Sequence, residues 1–459
     1  MHVDIAIRNG TVVTPATQAV TDLGLRDGRI VQIGGELEAD EEFDATGKLV
    51  LPGGIDMHVH LTPVEIEGGV VAWVDDFESG SAAAAAGGIT TLGNMTFPRP
   101  GEGLRAALDR TRASAEAQSI TDFVLHPVLL DPSPAVVAEI PGLVADGHSS
   151  IKIFMIAGDF DTRGREYLDA LHVAGQAGAL TLFHCEDGCI ISFLCELLIA
   201  AGGGGPADYP ASRPIYSEAV AAARAIAFAR AAEAPIYIVH LSSAEALEVC
   251  REAQAKGLPV YVETRPLYVH LTSEPFSEPD GAKYVGNPPL REQADVDALW
   301  HGLRAGHVHT FCTDHAPWNL AEKLEPGANV ATFKPGVADL QTLLPLLFSR
   351  GVLEGRISLQ RFVEVTSTNA AKLFGLYPRK GTISVGADAD LVIWDPERTR
   401  TVRAEDDYSR SDFSLYEGWE VTGWPSHTFR RGELIARDGQ VIARPGSGAW
   451  IPRDRHQPL

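Results

Sequence analysis

Residues 53–61 read GGIDMHVHL, an apolar run that opens on two glycines and ends on two histidines. The fifty residues before it have a different texture. They alternate in short β-type runs, DIAIRNGTVVTP, DLGLRDGRIVQIGG and FDATGKLVLPG, with Asn-Gly, Asp-Gly and Gly-Gly turns between them, the pattern of a small antiparallel sheet. From residue 53 the rhythm changes to apolar runs of about five to eight residues separated by helical segments rich in Ala, Leu and Arg. Eight such runs occur: 53–61, 88–95, 122–130, 150–156, 179–185, 235–241, 259–264 and 308–315. Near-continuous apolar strands alternating with helices make a parallel sheet covered on both faces, and eight of them make a closed (β/α)8 barrel. An open doubly wound sheet is the alternative. It would place a glycine-rich dinucleotide turn after the first run, and LTPVEIEGG is not one.

The sheet texture returns near the other end, in GTISVGADADLVIWD and HTFRRGELIARDGQVIA. The expected organisation is therefore a β-sandwich built from residues 1–52 and 380–459 around a barrel spanning 53–379. Connections at roughly 185–234 and 264–307 are long, and AAGGGGPADYPASRPIYSEA within the first reads as a loop. Long βα loops of a barrel lie on its active-site face.

The chain has 459 residues, 45% hydrophobic and 22% charged, with 61 acidic against 38 basic side chains and a formal charge of −23. That balance, with no basic cluster, argues against nucleic acid and anionic membranes as partners. No basic segment followed by an apolar run opens the chain, so a cytoplasmic location is the expectation. Five cysteines, at 185, 189, 195, 250 and 312, form no Cys-x-x-Cys pair and read as buried free thiols.

In a barrel, polar residues at the C-terminal ends of the strands converge on one mouth. Those residues are His58 and His60 on the first run, Lys152 on the fourth, His184 on the fifth, His240 on the sixth and Asp314 on the eighth. His58 and His60, two apart on a strand, share a face. One histidine near a strand end means little, but four with an aspartate at matching ends suggest a metal centre. Imidazoles and a carboxylate are ligands of zinc and related divalent ions, and this set exceeds the need of a single catalytic ion. Two ions about 3.5 to 4 Å apart would use it if something bridged them. Lys152, in SIKIFMI, is costly to bury unpaired. Its amine, neutral in a dry cationic site, can add carbon dioxide to form a carbamate with two oxygens to share.

The motifs GGIDMHVHL, IKIFM, LFHCED, YIVHLSS and CTDHAP, with the tail segments KGTISVGADADLVIWD and YEGWEVTGWPSHTFRRGELI, resemble the cyclic amidohydrolases of the hydantoinase, dihydropyrimidinase and allantoinase group over nearly the whole chain. The resemblance implies a ring-opening hydrolase of a 5-substituted hydantoin or dihydropyrimidine that yields an N-carbamoyl amino acid. It implies two divalent ions, with zinc expected and manganese or cobalt as alternatives. His58, His60 and Asp314 would hold the more buried ion and His184 and His240 the other, bridged by Lys152 as N6-carboxylysine. A hydroxide shared by the ions would attack the ring carbonyl, and Asp314, the catalytic residue, would pass its proton to the leaving nitrogen. A homotetramer is implied in the same way.

Departures from the family pattern qualify the substrate. The tyrosine that D-type members carry five residues after the lysine is here Ala157, and with DYPASRPIYSEA and LFGLYPRKGTISVG this tilts the resemblance toward L-type hydantoinases. Asn287 in NPPLR stands where the family has serine and would contact the ring amide. Asp339 would contact substrate or cap a helix. Val70, Val71, Trp73 and Val74 would form an apolar wall for a bulky substituent, with Trp318 behind them, and Arg265 would meet a polar substrate or pair with a carboxylate. Allantoinase or cyclic imide hydrolase activity is the alternative, then a hydrolase of an acyclic amide or lactone, and then a non-catalytic scaffold homologue, against which the complete ligand set weighs.

Overall fold

The computed structural model describes residues 1–66, 69–156 and 159–459. Among these, eight strands form the barrel: β1 (Gly54–Val59), β2 (Ile89–Thr96), β3 (Asp122–Pro127), β4 (Ser150–Phe154), β5 (Leu180–His184), β6 (Ile236–Ile238), β7 (Val260–Thr264) and β8 (Thr310–Phe311). All pair in parallel. Parallel bridges from Val128 to Lys152 and from Val59 to His315 join the three-stranded and five-stranded arcs into a closed ring. The strands are buried almost throughout, as expected where helices cover the outside and side chains fill the inside. Close packing has local requirements. A Cβ at Gly93 would lie 2.4 Å from His126 Nε2 and 2.8 Å from Met57 Cα, so β2 can run beside β1 only with glycine there.

Helices start where the sequence supplies caps. Asp76 accepts from the backbone N–H groups of Glu78 and Ser79 and closes a capping box with Ser79 at the head of Phe77–Ala86. The segment 200–219, expected as a loop, is largely ordered. A 3-10 turn at Pro206–Asp208 leads into Tyr209–Ser212, and the long helix Ile215–Ala232 begins just after Pro214. Proline tolerates helix starts, so a proline-rich stretch can initiate helices rather than interrupt them.

The chain ends build a sheet unit beside the barrel. Its seven-stranded sheet runs Gln440–Val441, Glu433–Arg437, Glu420–Arg430, Leu391–Thr401, Leu49–Pro52, Thr11–Val13, Gln18–Val20. The smaller sheet runs Arg29–Ile33, Leu23–Arg26, His2–Arg8, Glu38–Asp44, and Ile7, Leu25, Ile30, Val50, Ile393 and Phe429 fill the space between the layers. The expectation of a purely antiparallel N-terminal sheet is corrected here. His2–Arg8 pairs in parallel with Glu38–Asp44, and Thr11–Val13 pairs in parallel with Leu49–Pro52. The hairpin Leu23–Ile33 occupies one edge of His2–Arg8, so the chain returns along the other edge in the original direction.

Two features tie this unit to the barrel. Lys380 is fully buried 2.8 Å from Asp122 on β3, with Asp388 at 3.4 Å and Asp390 at 2.5 Å. Residues 449–457 run back along the barrel: Phe123 N–H donates to Ala449, Ile451 N–H to Phe123, and Arg453 Nη2 to Ser150 Oγ at 2.9 Å.

Candidate metal centre

The C-terminal ends of the strands bring the candidate ligands together. His58 Nε2 and His60 Nε2 lie 3.2 and 3.1 Å from Asp314 Oδ1, and the three donor atoms fall within 4.8 Å of one another. Ligand bonds of about 2.0 to 2.2 Å place neighbouring donors about 3 to 3.5 Å apart, so the cluster fits one divalent ion. His240 packs its ring 5.5 Å from that of His58 and 4.6 Å from that of His184. Lys152 is fully buried on β4, its Nζ 4.7 Å from the centre of the Phe154 ring, and among the described residues Nζ has no hydrogen-bond partner. A buried ammonium without a partner is costly, so Lys152 fits a site completed by something beyond the protein side chains.

Four buried carboxylates hold this set, and none was singled out from the sequence. Glu263 Oε1 accepts from His58 Nδ1 at 2.8 Å and from the backbone N–H of His240 at 2.9 Å, while Oε2 accepts from the Tyr237 hydroxyl at 2.8 Å. Asp56 Oδ1 accepts from His58 N–H, and its Oδ2 from Thr313 N–H and Oγ1. Glu186 Oε2 lies 2.8 Å from His184 Nε2 and 2.9 Å from Arg213. Asp75 binds His315 Nε2 at 2.8 Å, beside Asp314 in the chain. Glu263 and Glu186 each engage one ring nitrogen of a candidate ligand, leaving the opposite nitrogen of His58 and of His184 free to coordinate. Asp56 holds the backbone of His58 and Thr313, and Asp75 the side chain of His315, the neighbour of Asp314. His240 and Asp314 have positive φ, 38° and 53°, a conformation that side chains with Cβ adopt only under constraint. Glu263 and Asp56 supply it by gripping the amides of His240 and Thr313. The signal was present in the sequence: like Lys152, Asp56 and Glu263 are charges inside apolar strands.

Burial dominates the proton equilibria. It pushes Lys152 down to about 8 against the upward pull of Glu263 and Asp314, and His60 down to about 4. His184 and His240 are also shifted down by burial. Burial opposes ionisation of Asp314, but the neighbouring His58 and Arg265 outweigh it and hold the carboxyl well below its usual range. At neutral pH His60, His184 and His240 are therefore neutral and Asp314 is ionised, the forms that bind divalent cations.

Above the cluster opens a cavity of about 360 Å³. Its floor includes His58, His60, His184, His240 and Asp314, and its walls are mainly Val64, Val71, Trp73, Phe97, Leu130, Phe154 and Ile156. Trp73 packs against His60, with ring centres 4.8 Å apart. Asn287 lines the cavity, and its side-chain oxygen accepts from the Tyr209 hydroxyl. Trp318 is not in the lining. It sits behind Trp73, its indole N–H bonded to Pro335 O at 2.8 Å. Val70 is 63% exposed, and neither it nor Val74 reaches the cavity. Asp339 is fully buried away from the lining. Its carboxylate caps no helix and has no partner among the described residues, and burial raises it to about 7. Arg265 is fully buried and pairs through Nη1 with Asp314 Oδ2. Ala157 lies outside the described residues. Four of the five cysteines are buried, whereas Cys189, on the helix Gly188–Ala200, is exposed.

No helix among the described residues is long and apolar enough to cross a membrane. The sequence profile of the amidohydrolase family matches residues 49–435. The chain is 38% identical to a D-hydantoinase of Ralstonia pickettii, covering 99% of this chain and all of that one, and 38% identical to a D-hydantoinase of Geobacillus stearothermophilus over 99% and 97%. Among solved structures, the D-hydantoinase of Bacillus sp. AR9 superposes with a TM-score of 0.94 at 37% identity, covering 99% of this chain and all of that one. The L-hydantoinase of Arthrobacter aurescens superposes at 0.89 with 31% identity, covering 98% and 100%. The likeness is thus greater to these D-type proteins than to that L-type one, against the tilt drawn from Ala157 and the loop motifs. Family members generally carry a dinuclear metal centre, which agrees with the His58, His60 and Asp314 cluster at the barrel mouth. With the eight-stranded barrel, the end-built sheet unit and a profile match across most of the sequence, the chain belongs to the amidohydrolase family.

Proposed function

We propose that the chain hydrolyses a cyclic amide or ureide, a 5-substituted hydantoin or dihydropyrimidine, to the N-carbamoyl amino acid. The observation that carries this reading is the convergence of His58, His60, His184, His240 and Asp314 on the floor of an apolar cavity, with Lys152 fully buried on β4 and its Nζ without a hydrogen-bond partner among the described residues. The names of the full-length relatives support it. His58, His60 and Asp314 would hold one divalent ion and His184 and His240 a second, with Lys152 bridging as N6-carboxylysine. Zinc suits this donor set, and manganese or cobalt could replace it. Bound ions would polarise the ring carbonyl and supply a strong water-derived nucleophile at neutral pH.

The chain's own groups do the rest. Asp314 takes the proton of the attacking water and delivers it to the departing ring nitrogen. Asn287, whose side-chain oxygen is engaged by Tyr209, meets the ring amide through its main chain. Val71, Trp73, Phe97 and Phe154 exclude water and receive the 5-substituent. The division of labour between a catalytic barrel, 53–379, and a supporting unit from the two ends is part of the same proposal.

Turnover of 5-phenylhydantoin, dihydrouracil and allantoin by metal-reconstituted enzyme tests this reading. Ring opening of phenylhydantoin in preference to allantoin is expected, and the reverse order would overturn it. Within that panel, Trp73→Ala should lower kcat/KM for phenylhydantoin by about tenfold, the usual cost of one lost apolar pocket contact. Unsubstituted hydantoin should change by less than about threefold on the same grounds; equal losses would place Trp73 outside the substituent site.

A homo-oligomer, a tetramer by family resemblance, completes the proposal. Phe193 and Leu197 on the helix Gly188–Ala200, with Tyr216 and Val220 on Ile215–Ala232, leave large apolar side chains exposed, which favours self-association. Sedimentation at four times the monomer mass is expected, and a monomer would remove this part.

A further inference from the structure

We infer that Arg265 is a positioning residue that clamps Asp314, committing one oxygen of its carboxylate to the metal side of the site. The inference deepens the proposed function and rests on its reading of Asp314 as a ligand.

Arg265 directly follows β7 and precedes the short helix Pro266–His270. Its guanidinium is fully buried, with the Tyr268 ring centre 5.4 Å from its central carbon. Nη1 donates to Asp314 Oδ2, while Asp314 Oδ1 faces His58 Nε2 at 3.2 Å and His60 Nε2 at 3.1 Å. The two carboxylate oxygens are thus divided: one faces the imidazoles, and the other is held from behind. Asp314 also sits at φ 53° just past the end of β8, where little regular structure restrains its side chain. A guanidinium on Oδ2 fixes the torsion that decides whether Oδ1 points at the ions or both oxygens swing toward them.

The rest of the neighbourhood fits a clamp better than a structural ion pair. Arg265 Nε and Nη2 have no partner among the described residues, and Asp339, buried nearby, also leaves both carboxylate oxygens unpartnered. A buried ion pair selected for stability alone would satisfy its remaining donors. Here the engaged contact is the one to Asp314.

The test compares wild type with Arg265→Met, which keeps the bulk of the stem, and Arg265→Lys, which keeps a charge without the planar fork. Each full-length protein is loaded with cobalt(II), and cobalt per chain, the visible absorption of the bound ion, and kcat and KM for hydantoin are recorded. For Met we expect an altered cobalt spectrum and a kcat about tenfold lower, the usual cost of losing a group that orients a ligand, with KM little changed. Lys should recover part of both. A Met variant with the wild-type spectrum and a kcat within about twofold would overturn the inference. If Met does not fold, the Lys protein decides, and a wild-type spectrum and kcat there overturn it equally. A wild-type enzyme that leaves hydantoins intact would sink the substrate reading alone, because the cobalt spectra still judge Arg265.

Discussion

Replacing Lys152 by alanine is expected to lower kcat/KM by about 10³-fold, close to 4 kcal/mol of transition-state stabilisation, and to cut the divalent ions retained per chain from two. The reasoning starts from an electrostatic mismatch. Lys152 is fully buried, its Nζ has no partner among the described residues, and burial pushes its pKa down to about 8. A free ammonium there would repel cations gathered by His58, His60, His184 and His240. A carbamate would reverse the sign of the group and offer two oxygens. Alanine removes both possibilities, so on the proposed arrangement one ion would lose its bridge and the paired-ion contribution would go with it. Small carboxylates such as formate or acetate should enter the vacated space and restore part of the activity. Because the Lys152 Nζ makes no hydrogen bond among the described residues, metal-free Lys152→Met should melt no lower than the metal-free wild type. Two retained ions and full activity in Lys152→Ala, without added carboxylate, would contradict the argument.

Glu263→Gln should cost up to about 100-fold in activity or metal affinity, the upper part of the range for groups that orient metal ligands. Glu263 grips His58 Nδ1, the amide of His240 and the Tyr237 hydroxyl together, so it ties two candidate ligands from different strands to one carboxylate. Glutamine has nearly the same shape, and Tyr237 can turn its hydroxyl to Thr310 Oγ1, 2.6 Å away. The fold should therefore survive. What is lost is the negative charge that keeps the proton on His58 Nδ1 and Nε2 free for an ion, together with one acceptor. Excess metal should rescue much of the activity, since the fault lies in ligand basicity. Unchanged metal affinity and turnover would show that His58 needs no such partner.

Much of this site was legible in the sequence because barrel geometry converts strand ends into a shared mouth. Once 53–61 is a first strand, His58 and His60 must share a face, and His184, His240 and Asp314 must approach them. Lys152 stood out because an ammonium does not belong in SIKIFMI. Asp56 and Glu263 carry the same signal of a charge within an apolar run, but their partners are ligand side chains and backbone rather than an ion, and strand-end position alone does not reveal that role. Parallel pairing at the N-terminus was not legible, since turn residues reveal hairpins and not the edge along which the chain returns. Trp318 and Val70 were misplaced for a related reason. Apolar character identifies residues that could line a wall, but the path of a loop decides which side chains face the cavity. For Arg265 the sequence left a polar substrate or a carboxylate as the partner, and only the three-dimensional fold identifies Asp314, 49 residues away and just past the end of the next strand.

The most direct test of the central claim is a titration of metal-free protein with zinc in bicarbonate buffer while ring opening of 5-phenylhydantoin is followed. The site described here predicts activity that rises to a plateau at two equivalents per chain and falls when bicarbonate is withheld during loading. A plateau at one equivalent, with no dependence on bicarbonate, would contradict a pair of ions bridged by a carboxylated Lys152.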